Sequence, residues 1–131
     1  MATLLLPHLL KKPSAAIINV TSGLAFVPIS SMATYCATKA ALHSFTLSLR
    51  HQLINTPVRV IEIVPPAVNT DLGGAGLHTF GENLDEFADA MIGKLEESDD
   101  NIEFGYKFSE TARNASREQI NGIFNNMNKS H

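Results

Sequence analysis

Tyr35 and Lys39 stand four residues apart in an alanine-rich stretch, and Ser22 lies thirteen residues before the tyrosine, beside Gly23. On a helix a spacing of four puts the phenol and the ammonium on one face. An ammonium about 4 Å from a phenol, at an effective dielectric near 20, favours the phenolate by roughly 4 kcal/mol. A phenol so placed can exchange a proton near neutral pH, as a general acid or base must. A serine hydroxyl alongside could hold a carbonyl oxygen. Taken alone, a Tyr/Lys pair at this spacing is usually a surface pair whose stems lie along apolar neighbours. Ser22 beside a glycine turns the reading toward catalysis, with Ser22, Tyr35 and Lys39 as the expected catalytic set.

Positioning them takes strands and helices in alternation. Residues 15–21 are a short apolar, β-branched run, expected as a central parallel strand buried on both faces. Ser22 then falls at its carboxyl end, where open α/β sheets place their ligands. The spacing predicts a helix over 31–53, with Ala33, Ala37, Ala40, Ala41, Phe45, Leu49 and Leu53 along its apolar side. A second strand is expected over 58–64, closed by Pro65 and Pro66, neither of which carries an amide donor. Residues 2–12 read as an uncapped helix stopped by Pro13. Asn83 and Glu86 resemble a capping box ahead of a stripe formed by Leu84, Phe87, Ala88, Met91 and Leu95. A short strand and turn is expected over 101–108, and Ser116 with Gln119 opens a last helix. Three strands alternating with four helices argue for a parallel sheet covered by helices.

Four of the eight glycines fall within 71–83, which therefore reads as a loop. Their spacing is too irregular for a phosphate-binding glycine motif.

A length of 131 residues allows one domain at most, and three parallel strands make a thin core for it. The formal charge of −3 gives no basic footprint for nucleic acid. The acidic residues gather in the second half, where they read as solvated helix faces. The apolar runs are far shorter than the roughly 20 residues a bilayer requires, so no membrane helix is expected. The first residues lack the basic region of a secretory signal, and the single Cys36 allows no disulfide within the chain. A reducing, cytoplasmic setting is expected. Cys36 reads as a small buried side chain. The five histidines, His8, His43, His51, His78 and His131, show no metal-ligand spacing, so no metal site is expected. No G-x-S-x-G motif marks Ser22 as a hydrolase nucleophile.

The run Asn19-Val20-Thr21-Ser22-Gly23, the stretch Tyr35-Cys36-Ala37-Thr38-Lys39-Ala40-Ala41, and Pro65, Val68 and Thr70 in the same order together resemble the short-chain dehydrogenase/reductase family. Residues 62–72 and the tail over 116–128 are most similar to its DltE-like subgroup. The resemblance spans essentially the whole chain and corresponds to the carboxyl-terminal half of a family member. It implies a Rossmann-like parallel sheet with flanking helices, the second half of a doubly wound α/β fold. It further implies an oxidoreductase moving hydride between NAD or NADP and a small-molecule carbonyl or alcohol, without fixing which cofactor. In that scheme Tyr35 is the acid or base, Ser22 orients the carbonyl, and Lys39 assists the phenol. Tyr35, Lys39, Pro65, Val68 and Thr70 contact the cofactor, and His78 and Phe80 lie in a loop over the substrate.

Two departures from the family pattern stand out. Pro65-Pro66 replaces the usual Pro-Gly, and the resemblance places the glycine-rich dinucleotide loop, the residue selecting NAD or NADP and an active-site Asn ahead of Met1. Association into a homo-oligomer through the helices at 2–12 and 31–53 is implied as well. An inactive fragment acting as an interaction module, or lacking a function, is the alternative.

Overall fold

The computed structural model describes residues 2–68, 81–97 and 102–129. Its sheet is organised around β2 (Val58–Val64), the middle strand of three in the order β1-β2-β3. Val and Ile suit a pleated chain packed on both sides, and β2 is covered on both, which is why it reads as a nearly unbroken apolar run. β1 (Ala15–Val20) pairs with it in parallel, Ala15 opposite Val58 and Val20 opposite Ile63. β3 (Glu103–Gly105) runs parallel along the other edge, with Glu62 opposite Glu103.

Five α-helices are formed among the described residues: α1 (Ala2–Leu9), α2 (Ala33–Gln52), α3 (Leu84–Glu97), α4 (Phe108–Asn114) and α5 (Arg117–Met127). Leu49 of α2 and Leu53, which caps its carboxyl end, pack on Val58 and Val60, with Leu6 and Leu9 of α1 and Ala15 and Ile17 of β1 around them. On the opposite face Met91 of α3 packs on Ile61 and Phe104, flanked by Phe87, Ala90 and Leu95. The result is a parallel sheet between two helical layers, the architecture expected of part of a Rossmann-like α/β fold. No helix among the described residues is long and apolar enough to cross a membrane.

Two helix starts follow the sequence closely. Asn83 Oδ1 accepts a hydrogen bond from the Glu86 amide at 3.0 Å. Ser116 and Gln119 form a reciprocal capping box, each side chain bonded to the other's backbone amide. Lys107 has a φ of 50° as the chain reverses from β3 into α4. Gly105 ends β3 where a side chain has no room, since a Cβ there would stand 2.8 Å from Glu110 Cα.

Three expectations are corrected. β1 is not central and is not buried on both faces: among the described residues β2 is its one neighbour, and its side chains alternate between half-buried and exposed. The reason is that α3 covers β2 and β3 but stops short of β1, leaving Ile18 45% and Val20 49% exposed. The buried side of α2 carries Cys36, Thr46 and Leu49, whereas Ala33, Ala37, Ala41 and Phe45 of the expected apolar row face outward, Phe45 being 48% exposed. The helix is turned so that a row of polar residues meets the strands. Finally, α4 was not anticipated. Its seven residues are too few for a periodic pattern to be legible.

Candidate active site

The carboxyl ends of β1 and β2 are laced together beyond the regular ladder. The Thr21 amide donates to the Ile63 carbonyl and the Gly23 amide to the Pro65 carbonyl, both at 2.9 Å. Ser22, between them, is extended (φ −168°, ψ 152°) and caps a short 3-10 turn over Gly23–Ala25. Its Oγ accepts from the Leu24 amide at 3.1 Å, which leaves the hydroxyl proton as the group to offer a carbonyl oxygen. Glycine follows because α4 approaches closely: a Cβ on Gly23 would lie 3.2 Å from Ser109 Cβ. Ser109 itself is buried and donates to the Val64 carbonyl at 2.5 Å, fixing α4 to the end of β2.

A second 3-10 turn, Ser30–Met32, leads into α2. Asn128 holds this approach from the far end of the chain, accepting from the Ser30 amide at 2.7 Å and donating to the Pro28 carbonyl at 3.2 Å. The Cys36 thiol, buried as expected, contacts the Ile29 amide and carbonyl at 3.4 and 3.7 Å. Tyr35 sits in the first turn of α2 and is 39% exposed. One turn on, the Lys39 ammonium stands 5.7 Å from the Tyr35 ring centroid, within cation–π range. It also donates to the Val20 carbonyl at 3.1 Å. That bond anchors the Tyr35–Lys39 row two residues before Ser22, so the three predicted catalytic residues share the carboxyl end of β1.

Of the residues expected to contact a cofactor, Pro65 is placed by the bond from Gly23 and Val68 forms a parallel bridge with Glu82. Thr70 lies outside the described residues, as do His78 and Phe80 and most of the glycine-rich loop. Glu82 is clipped to Lys107 at 2.6 Å, tying the segment after β2 to the β3–α4 turn. The hydrogen bond to Glu82 holds the Lys107 ammonium above its usual pKa.

The sequence reading missed a buried carboxylate. Glu62, in the middle of β2, has no exposed surface. Its oxygens accept from Thr21 Oγ1 at 2.7 Å and lie 2.9 Å from His43 Nδ1, so the ring proton sits on Nδ1 facing the carboxylate. The His43 ring packs on Phe26 with centroids 4.6 Å apart. The signal was available: Glu62 is the one acidic residue in the first 66 and interrupts an otherwise apolar strand. A carboxylate is buried only with partners.

His43, Glu62 and Glu103 bring ligand-type atoms within 4.8 Å of one another. Each already has a protein partner, Glu103 being paired with Arg113 at 3.3 Å. Arg113 also grips Glu110 at 2.6 Å. Burial raises the Glu110 pKa, but the Arg113 bond and charge, with donors from Asn114 and Gly105, outweigh burial and hold the carboxyl below its ordinary range.

Residues 1–78 match the family model described as short chain dehydrogenase. Uncharacterized oxidoreductase DltE of Bacillus subtilis (strain 168) is 44% identical, the alignment covering 98% of this chain and 52% of the relative. A short chain dehydrogenase from Burkholderia cenocepacia J2315, solved in complex with NADP, superposes with a TM-score of 0.76 at 31% identity, over 95% of this chain and 52% of that one. A Streptomyces avermitilis short-chain dehydrogenase shares the fold with a TM-score of 0.71 at 17% identity, over 93% of this chain and 52% of its own. This chain thus spans about half the length of these relatives. By sequence match and by structure, the chain belongs to the short-chain dehydrogenase family.

Proposed function

We propose that these residues are part of an NAD(P)-dependent oxidoreductase in which Tyr35 is the acid or base for a carbonyl/alcohol pair. The observation that carries the reading is the Lys39 ammonium, held on the Val20 carbonyl and over the Tyr35 ring at the strand end that also bears Ser22. In the reducing direction Tyr35 gives its proton to the oxygen as it gains negative charge. Ser22 donates to the same oxygen and fixes its direction. Lys39 stabilises the phenolate left behind.

The donor set fits a nicotinamide cofactor. An ammonium has three protons, of which Val20 takes one, so two remain for the vicinal hydroxyls of a ribose. Lys39 and Tyr35 would hold that ribose, with Pro65, Val68 and Thr70 on the carboxamide and phosphate side. The cofactor, when bound, supplies or accepts the hydride. Everything assigned to this chain is orientation and proton transfer.

In this reading the described residues form one part of a single Rossmann-like domain, and the glycine-rich loop for the pyrophosphate comes from the remainder of the fold. The face of β1 that carries the exposed Ile18 and Val20, and the edge along which no strand lies among the described residues, receive that remainder as a further strand and helix. Copies of the protein associate through the outward row of α2, where Ala33, Ala37 and Ala41 let a neighbouring helix approach closely. A reducing cytoplasm suits the single cysteine.

The test is Tyr35→Phe in the protein at its natural length, with nicotinamide absorbance followed over a panel of ketones and aldehydes. Turnover should fall about 10²- to 10⁴-fold, with the melting temperature unchanged because the hydroxyl belongs to a partly exposed ring. Turnover within threefold of the parent refutes the role of Tyr35.

A further inference from the structure

Beside the apolar contact of Leu49 with Val58 and Val60, the side of α2 that meets the sheet carries a polar row where such contacts are ordinarily apolar. Lys39, His43, Thr46 and Arg50 follow one another at spacings of four, three and four, the repeat of one helix face. Each is bonded to a strand. Lys39 reaches the Val20 carbonyl, and His43 reaches Glu62. Thr46 Oγ1 accepts from Asn19 Nδ2 at 3.0 Å, and Arg50 Nε donates to the Val60 carbonyl at 3.0 Å. Thr21 closes the circuit on Glu62. On the strand side, Asn19, Val20 and Thr21 are consecutive and lead directly into Ser22.

Stability alone does not call for this construction. A buried charged or polar cluster can often be exchanged for apolar side chains of equal volume with neutral or stabilising effect. What it provides is one permitted arrangement. Glu62 is acceptor-only and satisfied by two donors from two different elements. A rotation or slide of α2 that an apolar contact would tolerate separates His43 from Glu62. Tyr35 heads the same row, two turns before His43. The His43 ring against Phe26 adds a second strut, to the segment that follows Ser22.

We infer that Glu62 is a positioning residue, which through His43 and Thr21 sets the register of α2 against β1 and so the placement of Tyr35 and Lys39 relative to Ser22. Its catalytic consequence rests on the proton-transfer reading above; the geometric one does not.

The experiment compares Glu62→Leu and Glu62→Gln in the protein at its natural length, labelled with ¹³Cζ-tyrosine. The Tyr35 signal is assigned by its loss in Tyr35→Phe. Three quantities are read: the melting temperature, the Tyr35 chemical shift without substrate or cofactor, and the separate kcat and KM. In the Leu variant the expected result is a melting temperature unchanged or raised and a displaced Tyr35 signal. Its kcat should be lowered up to about 100-fold, the scale of a 1 Å misplacement, with KM changed less than threefold. In the Gln variant the amide accepts from Thr21 and donates to His43 as the ring changes tautomer, so the signal and most of the turnover return. Should the Leu variant not fold, Thr21→Val removes one of the two bonds at equal volume and is read in the same way. An unmoved Tyr35 signal with parental turnover in the Leu or Val variant overturns the inference. If no protein in the series transfers hydride while the Tyr35 signal still moves in Leu and returns in Gln, the geometric role stands and the proton-transfer reading falls.

Discussion

Truncating Leu49 and charging Ala41 tests the orientation of α2, on which every proposed catalytic distance depends. The two residues lie eight apart on one helix, and both belong to the apolar row that the sequence predicts. In the structure Leu49 is 7% exposed and packed on Leu53, Val58 and Val60, while Ala41 faces outward. Leu49→Ala removes a buried isobutyl group and leaves a space that the strands cannot fill. Such changes cost about 2–5 kcal/mol, a drop in melting temperature of order 10 °C for a chain of this size. Ala41→Lys adds a solvated side chain to an exposed position and should cost within about 0.5 kcal/mol. The assay is thermal unfolding followed by circular dichroism, with mass by light scattering. If α2 were rotated to bury its alanine row, Ala41→Lys would place an unpaired ammonium in the core and cost several kcal/mol. A large loss of stability in Ala41→Lys at unchanged mass would refute the orientation, and with it the placement of Tyr35, Lys39 and His43. A fall in mass with little loss of stability would instead identify the row as an interface between copies.

The Glu110–Arg113 pair gives stability a definite pH dependence. A carboxyl held below its ordinary value near 4.5 contributes stability that is fully present above the unfolded value and is lost as the pH falls through the folded one. Denaturant midpoints should therefore decline more steeply on acidification in the parent than in Glu110→Gln, by a modest amount since Glu110 is 38% exposed; identical slopes would refute the assignment. Gly105→Ala should lower the denaturant midpoint by the equivalent of about 1–3 kcal/mol, because the added methyl group meets Glu110 Cα. An unchanged midpoint would show that α4 does not pack so closely on β3.

What could be seen in the sequence depended on whether local order carried the information. β2 was legible because a strand covered on both sides must be apolar throughout, and the starts of α3 and α5 because capping is a matter of neighbouring residues. The proposed set Ser22, Tyr35 and Lys39 rests on types and spacing, and the structure brings Lys39 to the Tyr35 ring and to the strand that leads into Ser22. β1 was misjudged for the converse reason: Ile17, Ile18 and Val20 have the composition of a fully covered strand, and composition cannot say which layer is present to cover it. The face of α2 was misassigned because hydrophobic periodicity assumes that polar side chains point to water. Lys39, His43, Thr46 and Arg50 point inward, and their partners Val20, Glu62, Asn19 and Val60 belong to other elements. The Glu62–His43 pair is nineteen residues apart, a separation at which no helical or strand repeat links two positions.

Among the described residues no strand lies along the outer edge of β1, and that edge matters before the protein does any chemistry. Apart from the Val20 carbonyl, which Lys39 occupies, the backbone groups of that edge lie beside exposed apolar side chains and are a template for another strand that does not discriminate by source. A neighbouring strand from the proposed remainder of the fold would close the sheet there and end growth. A β1 edge from a second molecule leaves each copy with further apolar surface to cover, so that pairing grows into aggregate. Which of the two arrives first is a matter of effective concentration. A neighbour tethered in the same chain would win at any dilution, whereas a neighbour supplied by another molecule wins only as crowding allows.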